Sequence, residues 1–246
     1  MRAEEWITTV YTKGEGRLEN LKKGLPLGMG LDGEVLLSQC LEKTITTRHT
    51  CVTGAGRTVF LQSLLLTLSC LYEKKEAAFL ILSPYKEYEN FLFLKNMDAT
   101  VPYIRQKSHV EQAVKILQEV KRTRDYGGAG YPHLFVVVDG VDGLPDCNTG
   151  GDLEELRGIL ELLAHREDVD VLCGVELVKS IFSGYPGAFV GIGNCLVTAE
   201  EDGRADLTYV QDDASLSQLI TLQFPVETQL SQTIAQFNAI AVGEKE

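Results

Sequence analysis

The sequence predicts an α/β fold: a mostly parallel β-sheet flanked by helices, with a small N-terminal β-hairpin. Three observations predict it. From His49 onward, apolar runs of strand length alternate with runs of helix length. The strand runs, such as "AAFLILS" and "LFVVVD", are apolar throughout rather than alternating, as in strands covered on both faces. A chain of 246 residues is long enough for one large domain of this kind.

The elements follow in order. The first two dozen residues are polar and charged, and read as an N-terminal arm or linker (1–23) ahead of a single domain (24–246). "GLPLGMGLDGEVLL", Gly24 to Leu37, reads as a hairpin with an Asp32-Gly33 turn. His49 to Thr53 is a short strand ending at glycines, and Arg57 to Tyr72 a helix with a wide apolar face. Ala77 to Ser83 is a strand, "YKEYENFLFLKN" a short helix, and Val101 to Arg105 a strand. Ser108 is placed to cap a helix running to about Arg124, with Glu111 as its capping-box partner. "HLFVVVDG" is the strongest strand; Asp152, with Glu155, caps the next helix. "VDVLCGVEL", "GNCLVTA" and "ADLTYV" are further strands, the last two joined at "GRAD", and "SQTIAQFNAIAVGEKE" is a terminal helix.

Composition excludes several classes. A net charge of -12 sets up a field that repels nucleic-acid phosphates, so DNA binding has no compositional support. The cysteines (Cys40, Cys51, Cys70, Cys147, Cys173, Cys195) form no C-x-x-C pair and lie mostly in apolar stretches, which predicts reduced, buried thiols. The histidines show no metal-ligand spacing. The longest apolar run, "LLLTLSCLY", is too short to span a bilayer, and the N-terminus has no secretory signature. A cytoplasmic chain is expected, recruited to a membrane only by a partner or by further sequence of a longer protein.

One stretch carries chemistry. "CVTGAGRT", Cys51 to Thr58, fits the phosphate-loop pattern G-x-x-x-x-G-K-[ST] with substitutions: Cys51 for the first glycine and Arg57 for the lysine. A strand precedes it and a helix follows, as such a loop requires. Thr53, Gly54, Ala55, Gly56, Arg57 and Thr58 are the candidate nucleotide-binding residues: glycines let backbone N–H groups turn toward a phosphate, and the helix N-terminus adds its positive end. Thr58 is the residue type that holds Mg²⁺. Arg57 keeps the charge but not the compact ammonium. The competing reading is a strand-to-helix turn that needs its glycines for backbone reasons alone.

The second element is "LFVVVDGVDGLPD". Asp139 ends a strong strand where phosphate-loop enzymes place the carboxylate that orders Mg²⁺. Thr58 and Asp139 are therefore the candidate metal residues, for ATP with Mg²⁺ held weakly if at all. Gly140 stands where a hydrolytic glutamate is often found, and Asp142 is the candidate substitute. The competing reading of Asp139 is a strand-end turn cap.

With both elements in place, the chain resembles the FtsK/SpoIIIE family of motor ATPases. Leu25, Pro26, Leu27, Gly30, Asp32 and Gly33 match that family's segment before the loop; Thr53, Gly54, Gly56 and Thr58 match the loop; Val136, Val137, Val138, Asp139 and Leu144 match its "VVVVDEFADL" strand. The resemblance covers about Gly24 to Tyr209 and implies a RecA/FtsK-like phosphate-loop NTPase fold. The departures fall on chemistry: Arg57 for lysine, Gly140 for glutamate, and "CGVELV" (Cys173 to Val178) without the family's glutamine. Arg166 stands near the family's basic residue ahead of that strand. This pattern is similar to the later, degenerate ATPase modules of the type VII secretion proteins EssC and EccC. It implies a docking, regulatory or assembly role, with other ATPase modules or secreted substrates as protein partners in a hexameric or tandem assembly. An active ATP-driven DNA or protein translocase is the alternative, and another phosphate-loop protein, a kinase or switch, a third.

Overall fold

The structure, a computed structural model, describes residues 1–13, 24–38, 48–94, 96–102, 104, 106–127, 130–141, 151–174, 195–209 and 219–225. The expected terminal helix, the stretch after Gly174 and Asp142 lie outside these residues.

The core is a parallel sheet. Its strands are β3 (His49–Thr53), β4 (Ala77–Ser83), β5 (Met97–Pro102), β6 (His133–Asp139), β7 (Val169–Gly174) and β8 (Cys195–Ala199), in the order β8-β3-β7-β6-β4-β5. All neighbours among these six are parallel. Beyond β8 the sheet turns antiparallel through β9 (Arg204–Tyr209), β10 (Leu219–Gln223), β1 (Pro26–Gly30) and β2 (Val35–Leu37).

The apolar runs explain the burial. β4 and β7 are buried at every position, and β6 at every position after its first. Successive side chains go to opposite faces. Phe79, Ile81, Phe135, Val137 and Leu172 join the core with α2 (Arg57–Leu71). Leu80, Leu82, Val136, Val138, Val171 and Cys173 join the core with α3 (Lys107–Tyr126) and α4 (Asp152–Ala164). α2 is buried on most of its circumference, from Phe60 to Ser69, which is why its sequence shows little amphipathic contrast.

The hairpin forms as expected, with Gly33 at φ +81° in its turn, and β10 stitches it to the sheet. Several expectations need correction. Residues Ala3–Thr12, read as part of an arm, form a helix, α1, that packs on α2 and buries Trp6 and Val10. Lys13 ties its end to the hairpin, donating to the Gly33 carbonyl at 2.7 Å. β10 had no counterpart in the sequence reading. β5 begins at Met97 rather than Val101, and Lys86–Phe93 winds as a 3-10 helix. Ser108 and Asp152 are not caps: the N-caps are Gln106 and Gly151, neither with a side-chain capping bond. The β8–β9 turn falls on Glu200–Gly203 and shares only Gly203 with "GRAD", whose other residues open β9.

The end of the sheet where the parallel strands begin is tied by ion pairs. Arg48 and the His133 ring both reach the buried Asp170 carboxylate, at 2.8 and 2.6 Å. Arg124 and Arg166 share Asp168, at 2.7 and 2.8 Å. Arg166 therefore stands in a structural network at the end of β7 opposite the glycine loop.

Candidate functional site

In a parallel sheet the strands finish at one end, and that end carries the candidate residues. β3 runs to Thr53, the turn Gly54–Gly56 follows, and α2 starts at Arg57. β6 finishes at Asp139, one strand further across from β7. Alternation along β6 puts the Asp139 side chain on the same face as Phe135 and Val137, the face that α2 covers. Two residues far apart in the sequence are thereby brought together: the Thr58 hydroxyl donates to Asp139 Oδ2 at 2.8 Å.

Asp139 is wholly buried, and the protein itself supplies its partners. Tyr88, from the 3-10 helix, donates to Oδ2 at 3.1 Å. Burial, and then the Asp139 charge, hold the Tyr88 phenol well above its usual range, so it stays a donor. Arg57 lies beside the carboxylate, with Nε 3.3 Å from Asp139 Oδ1. Its Nη2 donates to the Tyr85 hydroxyl at 2.6 Å, and its guanidinium carbon lies 5.9 Å from the Tyr85 ring centroid. The arrangement neutralises Asp139 with a guanidinium, a hydroxyl and a phenol.

The glycine turn is equally occupied. Gly54 has φ +93°, and a Cβ there would fall 2.2 Å from the Ala199 carbonyl oxygen. A Cβ on Gly56 would fall 2.2 Å from the Glu200 oxygen. Gly56 N–H donates to Ala199 O at 2.9 Å, and Arg57 N–H to Gly54 O at 3.3 Å. The end of β8 thus presses carbonyl oxygens on the turn and takes an amide that a phosphate would need. Thr53 is buried, whereas Ala55 is exposed at the turn's tip.

Gly140 follows Asp139 with φ +74°. A Cβ on it would lie 2.5 Å from Cζ and Oη of Tyr85. Gly174, opposite Asp139 in the β6–β7 register, is shaped by the same carboxylate: a Cβ there would meet Oδ1 at 2.2 Å.

These positions test the fit of a Mg²⁺-bound nucleotide. Thr58 and Asp139 are hydrogen-bonded to each other. The rest does not fit as folded: Arg57 is committed to Asp139 and Tyr85, the Gly56 amide faces a carbonyl, and Asp139 already has a cation beside it. No group of three or more His, Cys, Asp or Glu suited to a metal occurs among the described residues. Tyr85, Tyr88 and Gly174 were not apparent in the sequence as site residues. The signal for the tyrosines was topological: β4 lies beside β6, so whatever follows Ser83 arrives next to Asp139.

No family model matches the sequence, and no curated protein matches it. Solved structures do. The cytoplasmic domain of the Thermomonospora curvata type VII secretion ATPase EccC superposes with a TM-score of 0.63 at 16% identity, over 86% of this chain and 30% of that one. ATPases 2 and 3 of EssC from Geobacillus thermodenitrificans superpose with a TM-score of 0.57 at 12% identity, over 89% of this chain and 49% of that one. ATPases 2 and 3 of the T. curvata EccC, in complex with a signal sequence peptide, superpose with a TM-score of 0.54 at 14% identity, over 80% of this chain and 42% of that one. The chain thus spans less than half of each of these proteins. The fold defines the class: a phosphate-loop NTPase-type α/β domain. Within that class the fold is similar to that of the ATPase domains of EccC and EssC. Among the described residues no helix is long and apolar enough to cross a membrane.

Proposed function

We propose that this chain is a degenerate FtsK/SpoIIIE-like ATPase module that binds nucleotide weakly or not at all, hydrolyses little or none, and serves a translocation or type VII secretion machine as a docking, regulatory or assembly domain. One observation carries the reading: the residue in the lysine position, Arg57, is drawn onto the residue in the metal position, Asp139, and Gly140 provides no hydrolytic carboxylate beside it. A site whose cationic and anionic members neutralise each other holds its fold without a ligand.

The partners of such a module are proteins. The EccC structure with a signal sequence peptide makes a secreted substrate's signal peptide one candidate, and neighbouring ATPase modules in a tandem or hexameric assembly the other. The sequence's charge of -12 weighs against DNA. The alternative of an active translocase draws on the Thr58–Asp139 hydrogen bond, which keeps the metal-side pair together, with Asp142 or a neighbouring subunit supplying a carboxylate.

Multiple-turnover hydrolysis of Mg·ATP by the purified chain separates the two. The degenerate reading predicts turnover below about 0.1 s⁻¹, against about 1–10³ s⁻¹ for typical enzymes. A faster rate, abolished by Asp139→Asn, overturns the degenerate reading and leaves an active ATPase.

A further inference from the structure

Tyr85 touches two of the positions that depart from the phosphate-loop pattern, Arg57 and Gly140. Its hydroxyl accepts from Arg57 Nη2 at 2.6 Å. Its ring lies under the guanidinium at 5.9 Å and over Gly140, close enough that any side chain at 140 would collide with it. Tyr85 is itself anchored, its N–H donating to Ser83 Oγ at 3.1 Å just beyond the end of β4. Three residues on, Tyr88 donates to Asp139. One short segment therefore brings one phenol to the carboxylate and a second to the arginine paired with it.

We propose that Tyr85 is a latch: it holds Arg57 on Asp139, away from any phosphate, and fills the space that a carboxylate at position 140 would need. The proposal rests on the reading of a silent site and names what keeps it silent. A phosphate that recruits Arg57 must break a charge-assisted hydrogen bond and a cation–π contact. The hydrogen bond alone lowers apparent phosphate affinity by about 10- to 100-fold. The latch also explains Gly140 without reference to catalysis, since a residue with φ +74° beneath a tyrosine ring has to be glycine. It follows that restoring Arg57→Lys and Gly140→Glu together leaves the site blocked until Tyr85 is removed as well.

The test is calorimetric titration of the full chain with Mg·ATP and, separately, with inorganic tripolyphosphate, for wild type, Tyr85→Phe and Tyr85→Ala. The expected result is feeble binding by wild type, tightening at least about tenfold in Tyr85→Phe, which keeps the ring, and further in Tyr85→Ala. Weak wild-type binding that neither variant improves overturns the latch and leaves the silent site standing. Micromolar binding by wild type overturns both. A second measurement is independent of any ligand. Gly140→Ala should lower Tm by at least about 4 °C, and Tyr85→Ala in the same chain should recover part of that loss. Strict additivity of the two substitutions overturns the contact on which the latch depends.

Discussion

Arg57→Ala is the perturbation that separates a structural arginine from one kept for a ligand. It removes the cation beside a carboxylate with 0% exposure, while Arg57 itself is 13% exposed. At an effective dielectric of about 20, a pair 3.3 Å apart attracts by about 5 kcal/mol before desolvation is counted. Leaving one member of a buried pair uncompensated typically costs about 3–5 kcal/mol. Thr58 and Tyr88 still donate to Asp139 in the variant, which places the expected loss near the lower figure, about 3 kcal/mol. For a domain of this size that is a fall in Tm of about 6 °C. Urea denaturation followed by circular dichroism measures it, with Arg57→Ala/Asp139→Ala as the companion. The double variant should recover part of the loss, because the stranded charge has gone. A cation held ready for phosphate has no protein partner to lose. A loss below about 0.5 kcal/mol for Arg57→Ala would therefore refute the account of Arg57 as an internal counter-ion.

Other predictions follow from the same contacts. Gly54→Ala places a Cβ 2.2 Å from the Ala199 oxygen at φ +93° and should destabilise by at least about 2 kcal/mol; a neutral result would show that the turn is not pressed on β8. Trp6 is the single tryptophan and is buried, so native emission should be blue-shifted and shielded from acrylamide; emission like that of tryptophan in water would mean that α1 does not dock on α2. His49 is buried, and burial lowers its pKa from 6.5 to about 4. The unfolded chain therefore takes up that proton first as pH falls. Stability should be constant above pH 6.5, decline between pH 6.5 and 4 by up to about 3 kcal/mol from this group, and lose that slope in His49→Gln.

The sheet was legible because strands buried on both faces are written as unbroken apolar runs, and "AAFLILS" and "HLFVVVD" admit few other readings. The hairpin was legible through Asp32-Gly33. α1 was not, because Trp6 and Val10 are its buried residues among those whose burial is described, and its charged and hydroxyl residues read as a linker. β10 was missed because its run, Leu219–Gln223, is short and stands further from β9 than a tight hairpin turn allows. In the site, motif and spacing singled out Thr58 and Asp139, and the fold brings these two into hydrogen-bond contact. What the sequence could not convey was direction: whether Arg57 faces a phosphate or a carboxylate depends on Tyr85, which belongs to a different strand's exit. The glycines likewise satisfied two readings at once, and the nearness of Ala199 and Glu200 gives the backbone reading a physical basis.

The central claim is that the protein's own side chains have closed this site to nucleotide. Equilibrium titration of the full chain with labelled ATP and Mg²⁺ tests it most directly. The account predicts no saturable binding below about 1 mM, an interaction weaker than about 4 kcal/mol. Saturation at micromolar ATP, with a rise in Tm that follows the ligand concentration, would contradict it.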